Sequence, residues 1–145
     1  MAITTALCNS FKTELLGGLH DLDTDSIKLA LIKASPSGTY DAGTTNYSDV
    51  TGNSDEASGT NYSAGGGALT SPAISLDGTT AIVDFADLTF ANVTVAADGC
   101  ILYNTANSNS AIAVIDFGGT VTSTAGNFTV SFPAAAAATA IIRLA

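Results

Sequence analysis

Positive charge is scarce in this chain. Lys12, Lys28, Lys33 and Arg143 are the only basic residues, against thirteen Asp and Glu, and the net charge is −9 over 145 residues. Surfaces that hold nucleic acid or anionic lipid cluster Lys and Arg. Here the four are scattered, which argues against nucleic acid and against membrane surfaces as partners. Charge of either sign is thin. Charged residues make up 12% of the chain, about half the ~25% of an average domain. Thr, Ser, Asn and Gly must therefore build the polar surface, and such a surface suits a chain packed against neighbours. Tryptophan is absent, and the two cysteines, Cys8 and Cys100, are too few for a stapled secreted scaffold. They read as free, buried thiols. The start, Met1-Ala2-Ile3-Thr4-Thr5, has no basic segment leading into an apolar run, so no signal peptide is expected. No apolar run approaches the ~20 residues of a membrane span. Folding in a cytoplasm is the expectation.

Chemistry-bearing constellations are scarce too. His20 is the single histidine, with no partner in sequence that would make a triad or a metal site, and it reads as a turn residue. Asp21, Asp23 and Asp25 have the spacing that opens a calcium loop. The Gly and Glu such a loop needs at its sixth and twelfth positions are Ser26 and Ile32, so the match fails. Asp23 or Asp25 is then a turn-capping residue. Gly65-Gly66-Gly67 lacks the Lys-Ser/Thr of a phosphate loop. Asp84, Asp87 and Asp116 are the only carboxylates that could meet as an acid–base pair, and strand-end carboxylates more commonly face solvent or cap turns. No enzyme, cofactor or metal site is expected.

What the chain does contain is β pattern. The stretch Thr79-Thr80-Ala81-Ile82-Val83-Asp84-Phe85-Ala86-Asp87-Leu88-Thr89-Phe90 has an echo in Ala111-Ile112-Ala113-Val114-Ile115-Asp116-Phe117. Both carry β-branched runs ending in Asp-Phe, as a core strand does. Val83 and Phe85 share one parity, whereas Leu88 and Phe90 take the other. The apolar face must change over near Ala86-Asp87, through a bulge or a crossing between sheets.

In chain order, Thr4 or Thr5 can cap a helix over about 5–17. Leu7, Cys8, Phe11 and Leu15 recur at helical spacing and Gly17-Gly18 stops it. The helix is expected to cover an edge or face of the sheets. Residues 27–33 form the first strand. From 39 to 70, Gly, Ser, Thr and Asn dominate in a long surface excursion, and Tyr40, Tyr47 and Tyr62 are its expected anchors. Thr-Asn-Tyr-Ser occurs there twice, at 45–48 and 60–63, which is too few copies for a solenoid. Sparsely charged like the rest of the chain, a long loop of this kind is best used against another chain. After Pro72 the strands come thickly. Residues 73–76 run into an Asp77-Gly78 hairpin turn, 93–95 alternate, 97–99 turn, and 99–103 form a buried strand. Residues 104–110 are a polar loop, 118–126 another, and 127–132 alternate with Phe128, Val130 and Phe132 on one face. The alanines of 134–138 are a spacer, and 141–144 close the chain as a strand. The four Asn-X-Ser/Thr matches at Asn46, Asn61, Asn92 and Asn127 are chance matches in an Asn/Thr-rich chain. The whole reads as one mainly β domain over 1–145, a β-sandwich (jelly-roll or Ig-like) over about 27–145 with one N-terminal α-helix.

Five segments together resemble small virion structural proteins of tailed bacteriophages. They are Phe11-Lys12-Thr13-Glu14-Leu15-Leu16, the strand 28–32, Glu56-Ala57-Ser58-Gly59-Thr60-Asn61-Tyr62-Ser63-Ala64-Gly65-Gly66, Val83-Asp84-Phe85-Ala86-Asp87, and Val114-Ile115-Asp116-Phe117-Gly118-Gly119. The resemblance spans most of the chain and its motifs are structural. It implies a β-sandwich subunit, often oligomeric, and first of all a capsid decoration (cement) protein on the outer surface of a lattice of major capsid protein, assembled in the host cytoplasm. A homotrimer is the expected form. A tail, baseplate or fibre module with receptor or glycan binding is the alternative; glycan sites favour exposed aromatic platforms, for which only Tyr40, Tyr47 and Tyr62 could serve. Phe11 and Lys12 on the helix, and Tyr40, Tyr47 and Tyr62 on the excursion, are the expected partner contacts.

Overall fold

The computed structural model describes residues 2–145. The chain is mainly β, in two antiparallel sheets that share one core. The longest strands pair with each other: β6 (Leu88–Asn104) runs against β7 (Ser110–Val130), joined by a single 3-10 turn at Thr105–Asn107. β2 (Ile27–Lys33) lies on the other side of β6. With the two-residue strands β1 (Ala6–Leu7) and β3 (Gly67–Ala68) at its edges, the first sheet has five strands in the order β1-β7-β6-β2-β3. The second has three, β4 (Ala73–Asp77), β5 (Thr80–Asp84) and β8 (Ile142–Leu144), in the order β4-β5-β8.

Leu29, Leu31, Ile101, Ile112 and Val114 of the large sheet meet Val83 and Ile142 of the small one in a continuous buried cluster. The crossing expected near Ala86-Asp87 is there: β5 belongs to the small sheet and β6 to the large one, so the chain changes sheets where its apolar parity changes. Phe85, at the crossing, is buried and its ring lies 6.2 Å from that of Phe132. The C-terminal residues are pinned as β8 against β5.

The helix is shorter than expected. α1 spans Asn9–Leu16, with Cys8 in extended conformation as its N-cap, because residues 6–7 pair with β7 instead. The Thr5 hydroxyl, read as a cap, accepts the Asp116 amide at 2.9 Å. Gly18, at φ +76°, ends the helix in the left-handed region that glycine tolerates. α1 rests against β7 and sinks Phe11 into the core, which is worth about 2 kcal/mol over exposure.

Two expected turns are bulges within continuous strands. At 97–99 the register jumps from Ala97↔Val121 to Gly99↔Asp116. Asp98 turns out of β6 to accept the Ser35 amide at 2.8 Å and the Thr120 hydroxyl at 2.5 Å. Opposite it, Gly118 and Gly119 at φ +79° and +157° take up the extra residues of β7, so the expected loop over 118–126 is strand interrupted by bulges. The excursion also contains a one-turn helix, α2 (Ser48–Gly52), that apolar spacing does not reveal.

Candidate interaction surface

Two adjacent acids hold the excursion down. Asp55 is fully buried. It accepts the Tyr40 hydroxyl at 2.6 Å, the Ser37 and Gly38 amides at 2.9 and 2.8 Å, and pairs with Lys33 Nζ at 3.0 Å. Burial opposes its charge, but the Tyr40 hydroxyl, the two amides and the Lys33 ammonium outweigh it and hold the carboxyl far below the usual range. Burial, helped by Asp55, pushes the Tyr40 phenol up to about 12.

Glu56 does the same on the other side. It accepts the Tyr47 hydroxyl at 2.5 Å, the Tyr62 hydroxyl at 3.0 Å and the Gly65 amide at 2.6 Å. The tyrosines of the two Thr-Asn-Tyr-Ser copies thus converge on one carboxylate. Their asparagines match as well: Asn46 donates to the Ser108 carbonyl and Asn61 to the Asn92 carbonyl, each at 2.9 Å. Tyr47 stacks on Tyr103 with ring centroids 4.4 Å apart and planes 7° from parallel. Tyr103 donates to the Gly65 carbonyl at 2.6 Å, and the Leu31 amide donates to Tyr62 at 2.9 Å. Every oxygen of both acids is engaged: Asp55 ties the excursion to Lys33 of β2 and to the 37–38 segment, and Glu56 ties the excursion's own Tyr47, Tyr62 and Gly65 together.

These facts place the expected contact residues. Tyr40, Tyr47 and Tyr62 are the excursion's anchors. Tyr40 and Tyr62 are buried and Tyr47 is half-buried, because their hydroxyls reach inward to carboxylates. Phe11 is buried too. Lys12 alone of the five is exposed, near Asn9 Oδ1 at 3.4 Å.

His20 is not a solvent-facing turn residue. It is buried, with its ring 5.0 Å from that of Phe11. Asn104, itself buried, stands 3.0 Å from His20 Nδ1 and donates to Asp25 Oδ2 at 2.7 Å. A donating Asn104 amide leaves the ring proton on Nε2, facing Glu14 Oε2 at 3.6 Å. Burial holds the imidazole below its ordinary value against the pull of Glu14 and Asp25. Asn104 lies 84 positions from His20, and nothing local in the sequence signals the pair.

Four other acids accept backbone amides at turns and strand ends. Asp21 accepts the Asp23 and Thr24 amides at 3.1 and 3.3 Å, and Asp25 accepts the Asp21 amide at 2.9 Å; Asp21 rather than Asp23 joins Asp25 in capping the turn. Asp87 accepts the Phe132 amide at 3.0 Å and Asp116 the Gly118 amide at 2.9 Å. Among the described residues no group of three or more His, Cys, Asp or Glu stands close enough to hold a metal ion. Cys8 and Cys100 are free and buried, and desolvation pushes the Cys8 thiol up to about 12.

The surface feature that stands out is apolar. Opposed residues on neighbouring strands share a face. The pairings Ile74↔Val83, Leu76↔Ala81, Val83↔Ile142 and Ala81↔Leu144 therefore put six apolar side chains on one face of the small sheet. Val83 and Ile142 enter the core, but the outer part of the face is uncovered: Leu76 is 70% exposed, Ile74 55%, and Leu144 about half. This face and the end of α1 border a cleft of about 380 Å³ lined by Leu15, His20, Leu22, Ile74 and Leu144, among others. Leu16 and Leu19, just beyond, are exposed as well, Leu16 at 88%. Ile74 and Leu76 alternate with Ser75 and Asp77 as in any half-buried strand, so sequence spacing locates the face but not its exposure.

Comparisons with family models, curated proteins and solved structures return no match.

Proposed function

We propose that this chain is a structural subunit of a tailed-bacteriophage virion, of the capsid decoration type, which binds the outer surface of the major capsid protein lattice and acts without catalysis. The observation that carries the reading is the uncovered apolar face of Ile74, Leu76 and Leu144 beside the α1 end, on a chain otherwise acidic and sparsely charged. Apolar patches of this kind are covered in the working state of a protein. The segment resemblance supplies the virion context. The long excursion, locked by Asp55 and Glu56, makes the subunit a stiff block rather than a flexible linker.

Cementing needs no active site. A subunit that binds the assembled lattice and not dispersed shell protein favours assembly by mass action. An oligomer presenting several such faces gains further, since its later contacts form intramolecularly. The test is to strip or delete the protein and heat the particles. Genome release at a lower temperature, reversed by adding back purified protein, is the expected result. Unchanged particle stability together with lost host attachment would overturn it in favour of a tail or receptor-binding module.

A further inference from the structure

The small sheet ends on β4, and all five residues of that strand are exposed. β4 and β5 are joined by the two-residue turn Gly78-Thr79, with Gly78 at φ +62° taking the first corner. In such a hairpin the closing pair, Asp77↔Thr80, is hydrogen-bonded, and hydrogen-bonded and open pairs then alternate. Ala73, Ser75 and Asp77 therefore spend their backbone groups on β5. Ile74 and Leu76 aim theirs outward, where two amides and two carbonyls stand in a row.

Natural sheet edges are blunted by shortness, by Lys, by Pro or by bulges. β1 and β3 are two residues each, and β8 is three residues with Arg143 at its centre. β4 carries one guard only, the charge of Asp77 at its turn end, and that carboxylate accepts the Ala137 amide at 2.6 Å; Ala73-Ile74-Ser75-Leu76-Asp77 contains no Lys or Pro, and its register with β5 is unbroken.

We infer that the outer edge of β4 pairs antiparallel with β4 of a second copy of this chain, across a two-fold axis at Ser75, making one continuous six-stranded sheet and a dimer in place of the homotrimer that the resemblance implies. The occupant follows from self-complementarity. With Ser75 on the axis, Ile74 faces Leu76 of the second copy and Leu76 faces its Ile74. Those two pairs are the ones whose outward amides and carbonyls are free, so four hydrogen bonds close at once. Asp77 falls opposite Ala73, and the two Asp77 residues stand four positions apart along the strands, about 13 Å, beyond a ~10 Å screening length at 0.1 M salt. A strongly acidic chain can therefore meet itself here without opposing like charges. The pairing also joins the two exposed Ile74/Leu76 faces into one larger apolar surface. It does not rest on the virion reading, because the purified chain tests it alone.

The experiment measures native mass and site-specific cross-linking. Sedimentation of the purified chain should give twice its 14.4 kDa mass. Leu76→Pro removes an outward amide while sparing the β4–β5 ladder and should halve the mass. In Ser75→Cys the paired residues form an open pair with Cα atoms about 4.5 Å apart, within disulfide range. Mild oxidation should link it into covalent dimers, while Asp77→Cys should not link; the buried Cys8 and Cys100 stay out of the reaction. A monomer or a trimer in sedimentation, or Asp77→Cys linking as readily as Ser75→Cys, would overturn the two-fold pairing. The capsid-heating test would remain valid in either case.

Discussion

Asp55 joins Tyr40, Ser37, Gly38 and Lys33 inside a site that water does not reach. An amide in its place cannot accept from all of these donors. Breaking a buried pair on one side costs about 3–5 kcal/mol; Lys33 is partly exposed and can turn to water, which favours the lower end. Asp55→Asn should therefore lose about 3 kcal/mol in urea unfolding at neutral pH, and equal stability of the two proteins would refute the anchoring role. The pH dependence has a fixed sign. The folded-state pKa is depressed, so the contribution is full above the ordinary carboxylate value of about 4 and fades as pH falls below it. The gap between wild type and Asp55→Asn should close in acid. His20, lowered by burial, adds a loss of the same direction beginning near pH 6.5, where the unfolded chain takes up the proton first. His20 stands out as the single histidine, but its buried partner Asn104 does not, and Asp55 is inconspicuous too. Asp55 is one of four acids in the polar stretch 39–70, and its donors come from the 33–40 segment.

At the scale of elements, sequence patterning was most informative where one face is buried and the chain runs straight. β2, the Asp-Gly hairpin, the change of sheets after β5, the buried 99–103 run and the C-terminal strand all follow from alternation and turn chemistry. Failures cluster where backbone groups found distant partners. Residues 6–7 pair with β7 rather than extend the helix, and Asp98-Gly99 is a bulge because Ser35 and Thr120 bind the Asp98 carboxylate. The exposed apolar face was the least legible feature: the tyrosines expected as partner contacts serve as anchors within the chain, and the face that stays open was hidden in ordinary strand alternation. The excursion's fit can be tested at Gly66, where φ is +75° and an added methyl would run into the Leu29 carbonyl and the Ala30 backbone. A left-handed residue with a side chain costs about 1–2 kcal/mol before any clash. Gly66→Ala should lose more than about 2 kcal/mol and loosen residues 56–66 in hydrogen exchange. Gly52, at the end of α2, has open space around it, and Gly52→Ala should be neutral or stabilising by up to about 1 kcal/mol. Equal behaviour of the two variants would show that the excursion is not seated on β2 as described.

For the whole molecule, the proposed capsid-decoration role makes a prediction about salt, set by the balance between an apolar contact and a net charge of −9. Each bound copy brings its negative charge to the shell, and neighbours separated by more than a Debye length interact little: about 10 Å at 0.1 M and about 3 Å at 1 M. Added salt therefore relieves repulsion between copies. It does little to weaken a contact made by Ile74, Leu76 and Leu144, whose strength comes from area removed from water. With four basic residues scattered along the chain, there is no cationic patch whose attraction salt would screen away. Re-addition of the protein to stripped particles should give an occupancy that holds or rises as NaCl increases from about 0.05 to 0.5 M, a range over which the screening length falls about threefold. Leu144→Asp shares the face but not the β4 edge. As an exposed substitution it should change unfolding stability by no more than about 0.5 kcal/mol, yet cut occupancy at least tenfold by placing a charge in the dry contact. Occupancy that collapses with salt, or a Leu144→Asp protein that binds like wild type, would show that the subunit is held by charge or by another face, and the apolar docking surface would have to be abandoned.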